Sequence, residues 1–185
     1  MSEIEKIEWT PGPDFNNCRL RQLLDFCGVE DMAALHDKTA ANPAWFWDSA
    51  IKFLDVQFYE PYQQVLDLSD GIQHPKWCLG GKTNVVLNCL DKHRSTSAWN
   101  KTYLVWEGED GEKREFSYAD FDAEVCRFAG ALRAQGIGRG DVVAMFVPMI
   151  PEAMTSLFGI LKVGAIVLPL FSGFGARAFA RTSWR

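Results

Sequence analysis

Two short, almost wholly apolar stretches, Val142 to Val147 and Ala165 to Leu170, lie one helix length apart in this chain. A strand buried on one face alternates apolar and polar residues, whereas a strand covered on both faces is apolar throughout. Such runs belong in a parallel sheet with helices packed on each side. Between them Pro151 opens a helix that runs to about Lys162 and that Gly164 can end. The order is strand, helix, strand, and a right-handed crossover is expected.

The residues upstream fit the same plan. Ser117 with Asp120 three residues later has the form of a capping box, and Phe121, Val125, Phe128 and Leu132 recur at helical spacing until Gly136. Before it, Thr102 to Glu107 predicts a strand, Glu109 to Gly111 a turn, and Lys113 to Phe116 the returning strand of a hairpin.

The first hundred residues predict short helices and irregular connections. Arg19 to Cys27 is a helical run closed by Gly28, and Asn42 with Pro43 supplies an N-cap and first-turn proline for a run through Asp55. Trp45, Phe46, Phe53 and Leu54 give that run a broad apolar side. Asn84 can cap a further helix from Val85 to His93. The polar stretch Arg94 to Asn100 then marks a junction, so the expected organisation is an α/β chain with one region at 1–100 and another at 101–185.

Composition narrows the function. A formal net charge of -5 argues against a broad electrostatic footprint on nucleic acid or anionic lipid. No run of about eighteen apolar residues is present, and Met1 to Lys6 is polar and acidic where a signal peptide is basic and then apolar. A cytoplasmic protein acting on small molecules is the expectation. The five cysteines, Cys18, Cys27, Cys78, Cys89 and Cys126, form an odd set without a C-x-x-C pair, which favours reduced thiols over disulfides or a zinc site.

Several motifs resemble functional ones and fail on closer reading. Gly80, Gly81, Lys82 and Thr83 resemble the end of a phosphate-binding loop, but Lys76 stands where that motif needs its first glycine. A glycine turn leading into the Asn84 cap explains them. Gly136, Gly138 and Gly140 follow a helix and precede a strand, the reverse of a dinucleotide loop. His36, His74 and His93 are scattered, and Asp110 to Glu112 reads as a hairpin turn. Ser172 follows an apolar strand, where open parallel sheets gather functional loops, yet Leu170 and Phe174 exclude a G-x-S-x-G nucleophile elbow. The loop Phe171 to Gly175 could instead let a ligand approach the backbone.

A resemblance carries the reading further. The stretch from Trp77 to His93, WCLGGKTNVVLNCLDKH, is similar to the segment by which acetyl-CoA synthetases join an N-terminal helical extension to their main domain. LVWEGEDGEKREFSY from Leu104, GIGRGDVVAMFVPMIPEA from Gly136 and GAIVLPLFSGFG from Gly164 follow in the order that this family uses. The chain thus resembles the N-terminal portion of an AMP-forming acyl-CoA synthetase of the acetyl-CoA synthetase type, over roughly Pro43 to Gly175.

That resemblance implies an N-terminal extension over 1–100 and the incomplete first part of a doubly wound adenylate-forming domain over 101–185. It implies a parent reaction in which ATP and magnesium activate a small carboxylate to an acyl-adenylate, which the thiol of CoA then attacks. The family's phosphate loop and catalytic lysine have no counterparts here, so no catalytic residue and no metal ligand is assigned and the chain alone is expected to be inactive and without cofactor. Phe171, Ser172 and Gly173 correspond to a place near the CoA nucleotide, where the family usually has two glycines rather than Ser172 and Gly173. Residues Ala176 to Arg185 depart from the family pattern. The expected partners are carboxylate, ATP and CoA for the parent, together with the remainder of a synthetase, and neither nucleic acid nor a membrane. The alternative is a noncatalytic interaction module completed in trans by a separate polypeptide.

Overall fold

The computed structural model describes residues 12–170 and Gly173. The chain divides into two compact units between Lys82 and Thr83. That division precedes the change of sequence pattern near residue 100.

The first unit opens with a 3-10 turn, Pro13–Asn17, and three short helices: α1 (Arg19–Cys27), α2 (Met32–Ala41) and α3 (Pro43–Phe53). Each has its own side-chain cap. Cys18 Sγ accepts from the Arg21 amide, Asp31 from the Ala34 amide at 2.8 Å and Asn42 from the Trp45 amide at 3.0 Å. Gly28 ends α1 in the left-handed conformation, as expected. Leu24, Cys27 and Leu35 form the core, with Trp45 and Phe46 packed against them. Helix α3 stops two residues short of the expected Asp55, because Leu54 is its C-cap and Asp55 turns to a positive φ of 49°.

One feature of this unit departs from the expected helices and loops. Strands β1 (Gln64–Asp67) and β2 (Lys76–Leu79) pair antiparallel, with Leu66 opposite Trp77. Their four-residue runs mix polar and apolar residues, and only Val65 is deeply buried, so neither shows the alternation that a longer strand would.

The second unit begins with α4 (Val85–Cys89) and 3-10 turns at Asp91–His93 and Ser97–Asn100. The single helix expected from Val85 to His93 is broken at Leu90, whose φ of -135° and ψ of -63° are not helical. Then follow β3 (Thr102–Glu107), β4 (Lys113–Ser117), α5 (Tyr118–Ala134), β5 (Val142–Met145), α6 (Pro151–Lys162) and β6 (Ile166–Pro169). The capping box at the start of α5 is formed, with the Ser117 side chain accepting from the Asp120 amide and Asp120 from the Ser117 amide.

Strands β3 and β4 make the expected hairpin, and β5 and β6 pair in parallel with Val142 opposite Ile166 and Met145 opposite Pro169. Helices α5 and α6 pack closely, since a Cβ on Gly159 would stand 2.6 Å from Phe128 Cδ1. Val143, Met145 and Val167 lie against a core of Ala129, Leu132, Ile160, Val163 and Ala165. The other side of the pair differs from the expectation of two covered faces: Val142 is 60% exposed and Ile166 54%. Among the described residues only one face of this pair is covered. A second core joins Val86 and Leu90 of the opening segment to Phe121, Val125 and Phe158.

Candidate functional site

The inward stripe of α5 carries Phe121, Val125, Ala129 and Leu132, and Asp122 beside them. Asp122 is the only buried charged residue among those described. A buried carboxylate needs compensation, because its desolvation costs several kcal/mol by order of magnitude. Two cations provide it. Arg94 Nη2 donates to both Asp122 oxygens at 2.8 Å, and Lys162 Nζ, at the end of α6, donates to Asp122 Oδ1 at 3.3 Å. Asp91 closes the group, 2.6 Å from Lys162 Nζ and 3.0 Å from Arg94 Nη2.

Two carboxylates and two cations leave this cluster formally neutral. Burial pushes the Asp122 carboxyl up, but the Arg94 hydrogen bonds and the Lys162 and Arg94 charges outweigh it and hold it below the usual carboxylate range. Burial likewise pushes Lys162 down, and the Asp91 and Asp122 carboxylates more than reverse this. The hydrogen bond to Asp122 raises Arg94. Asp122, Lys162 and Arg94 are thus each driven deeper into the charged form, the opposite of what a group exchanging protons near neutral pH requires. The cluster is a structural clamp.

No motif announced these residues. The available signal was a carboxylate beside the apolar stripe of a helix, together with Lys162 as the sole cation of α6. Neither identifies its partner, because Lys162 and Asp91 stand 71 positions apart.

The loop expected near a CoA nucleotide leaves the end of β6. The Leu170 amide donates to the Met145 carbonyl at 2.8 Å, so the loop starts beside the C-terminal end of β5. Phe171 and Ser172 lie outside the described residues, and Gly173 is exposed in a turn. This end of a parallel pair is where open α/β sheets receive ligands.

The other sequence motifs resolve into structural roles. Gly80 turns with φ 76° directly after β2, and Lys82 Nζ is engaged by Glu60 Oε1 at 2.8 Å. The Asn84 side chain caps α4 as expected, accepting from the Val86 amide at 2.8 Å. Gly136 closes α5 with φ 79°, and the Gly138 amide donates to Asp141 Oδ2 at 2.8 Å in the following turn. All five cysteines are free thiols. Burial pushes the Cys27 and Cys78 thiols up.

Among the described residues no three His, Cys, Asp or Glu side chains converge to hold a metal ion. The clamp's two carboxylates are already neutralised by Arg94 and Lys162. These residues do not fit a magnesium–triphosphate cradle, and no chemical step is assigned to them. No helix among the described residues is long and apolar enough to cross a membrane.

A parallel strand pair backed by two packed helices, entered through a β-hairpin, defines the second unit as an open α/β domain. The chain belongs to the AMP-binding enzyme family, which matches residues 90–182, and residues 32–89 match the N-terminus of acetyl-coenzyme A synthetase. An acetyl-coenzyme A synthetase of Aeromonas hydrophila subsp. hydrophila is 37% identical over 161 residues, covering 85% of this chain and 24% of that protein. That of Gemmatimonas aurantiaca is 39% identical over 141 residues, or 76% of this chain and 21% of that protein. The solved structure of an acetoacetyl-CoA synthetase from Streptomyces lividans covers 92% of this chain at a TM-score of 0.82 and 25% identity, with 27% of its own length matched. The chain thus spans about a quarter of the length of the curated relatives, 24% of the first of them, and is similar to their N-terminal portion.

Proposed function

We propose that this chain supplies the N-terminal portion of an AMP-forming acid–CoA ligase. In the parent reaction ATP and magnesium convert a small carboxylate, acetate first among them, to an acyl-adenylate with release of pyrophosphate. The thiol of CoA then displaces AMP to give the thioester. Residues 1–100 serve as the extension and 101–185 as the start of the adenylation domain, in the cytoplasm. The observation that carries this reading is the succession of two family matches, the synthetase N-terminus ending at residue 89 and the AMP-binding family starting at residue 90.

Within such an enzyme the contribution of these residues is architectural. The parallel pair and its helices seed the sheet, and Phe171, Ser172 and Gly173, which follow β6 in the sequence, are the residues proposed to meet the CoA nucleotide. Among the described residues no catalytic acid, base or phosphate cradle is assigned, and the chain by itself is inactive.

Two assays test this. The purified chain should show no acetate-dependent ATP–pyrophosphate exchange above a protein-free blank, and measurable exchange would overturn its inactivity. A chimera should then be made with this chain in place of the matching quarter of the Aeromonas hydrophila enzyme. It should support exchange, and a folded but inactive chimera would count against the proposed role.

A further inference from the structure

We propose that residues 83–101 are a latched segment, seated on α5 and α6 by the Asp91–Arg94–Asp122–Lys162 cluster and able to lift off as one piece before the rest of the second unit unfolds. The segment cannot order itself. Helix α4 has five residues and the turns at Asp91–His93 and Ser97–Asn100 are shorter still, whereas isolated helices below about 12 residues are marginal in water. Its conformation is therefore set by what it touches.

Those contacts include apolar and polar ones, which act differently. Val86 and Leu90 are its deeply buried apolar anchors, at 1% and 0% exposure. Apolar contact is non-directional and would tolerate sliding along the helix pair. The polar contacts do not: Asn84 Nδ2 donates to the Leu161 carbonyl at 2.7 Å, Lys162 reaches Asp91, and Arg94 reaches Asp122. The His93 ring adds an edge contact to Tyr118 at 5.3 Å. Buried ion pairs contribute little net stability yet fix register, because any displaced arrangement leaves a charge unpaired.

What the segment covers can stand without it. The core of Ala129, Leu132, Ile160, Val163 and Ala165 includes none of its residues. Phe121 and Phe158 would keep Tyr103, stacked on Phe121 at 4.9 Å, while the core they belong to would lose Val86, Leu90 and the packed Cys89. That is the pattern of a local cooperative unit held at a lower opening free energy than the fold beneath it.

Residue-resolved hydrogen exchange on the full chain tests the latch. In the unaltered protein the protected amides of 85–100 should exchange through a shared opening at least about tenfold faster than those of α5 and α6. Lys162→Met, which breaks both of its ion pairs, should speed 85–100 by about tenfold or more, and amides of α5, β5 and β6 that exchange only through global unfolding should follow by no more than that factor and stay slower than 85–100. If 85–100 exchanges together with α5 and α6 in one step, or if Lys162→Met leaves the exchange of 85–100 unchanged, the proposal fails. Should Lys162→Met not fold, Arg94→Gln removes the more exposed cation of the cluster, and the measurement on the unaltered protein stands independently.

Discussion

The Tyr62 hydroxyl donates to Asp48 Oδ1 at 2.6 Å, tying the approach to β1 onto α3, while Lys52 Nζ occupies the other oxygen of the same carboxylate at 2.6 Å. The Lys52 and Tyr62 hydrogen bonds hold Asp48 below the usual carboxylate range. Burial and the Asp48 partner push Tyr62 up to about 12, and burial pushes Tyr103 to about 12 as well. Absorbance titration should show two of the four tyrosines ionising near 12, and one of these two should vanish in Tyr62→Phe. The variant should lose about 1 kcal/mol of stability in the first unit by denaturant unfolding. A tyrosine with a raised folded pKa favours folding below pH 10 and loses that contribution as pH rises toward 12.

Asp122 sets the opposite pH dependence. Its folded carboxyl ionises more readily than in the unfolded chain, whose ordinary value is 3.8. Its contribution is therefore complete above about pH 4 and declines as acid protonates it in the fold. Asp122→Ala should cost about 3 kcal/mol at pH 7, since it leaves two cations facing Asp91 alone. In acid-to-neutral unfolding series the gap between the variant and the unaltered protein should narrow below pH 4. A gap independent of pH would show that the carboxylate charge contributes nothing.

Gly159 permits the contact between α5 and α6. A methyl group there meets Phe128 Cδ1 at 2.6 Å, Phe128 Cβ at 3.3 Å and the Ala129 backbone nitrogen at 3.4 Å. Gly159→Ala gains up to about 1 kcal/mol of helix propensity and loses about 1–3 kcal/mol to overpacking. A net loss near 1 kcal/mol is expected in thermal or denaturant unfolding. Adding Phe128→Leu should recover part of it.

Phe121 lies between Tyr103 and Phe158, with ring centroids at 4.9 and 5.3 Å, and is wholly buried. Phe121→Ala should cost about 3–5 kcal/mol by equilibrium unfolding. Phe121→Leu, which keeps most of the apolar volume, should cost clearly less.

Most of the second unit was legible in the sequence because its elements are long, capped and periodic. Ser117 and Asp120 mark the start of α5, Gly136 its end, and the Pro151–Lys162 helix has the expected bounds. The β1–β2 hairpin was not legible. Its strands have four residues each, too few for a period to show. Helix α2 carries mostly small and polar residues and buries only Leu35, with Met32 packed against the same core, so its apolar stripe is too short to show a period. The break at Leu90 escaped notice because Leu90 is itself a good helix former; its burial, not its propensity, sets its conformation. The clamp was invisible for a different reason, since its partners meet only once α5 and α6 have brought Asp122 and Lys162 together.

The placement of that segment also has a consequence in time. Asn84 bonds to the carbonyl of Leu161, 77 positions later, so a ribosome adding roughly 5–20 residues per second needs about 4–15 s to make the acceptor after the donor. For the first part of that interval Val86 and Leu90 lack Phe121 and Val125, and through nearly all of it they lack Phe158. The stretch that is translated before the rest of its unit thus completes its contacts only after α6 has been made.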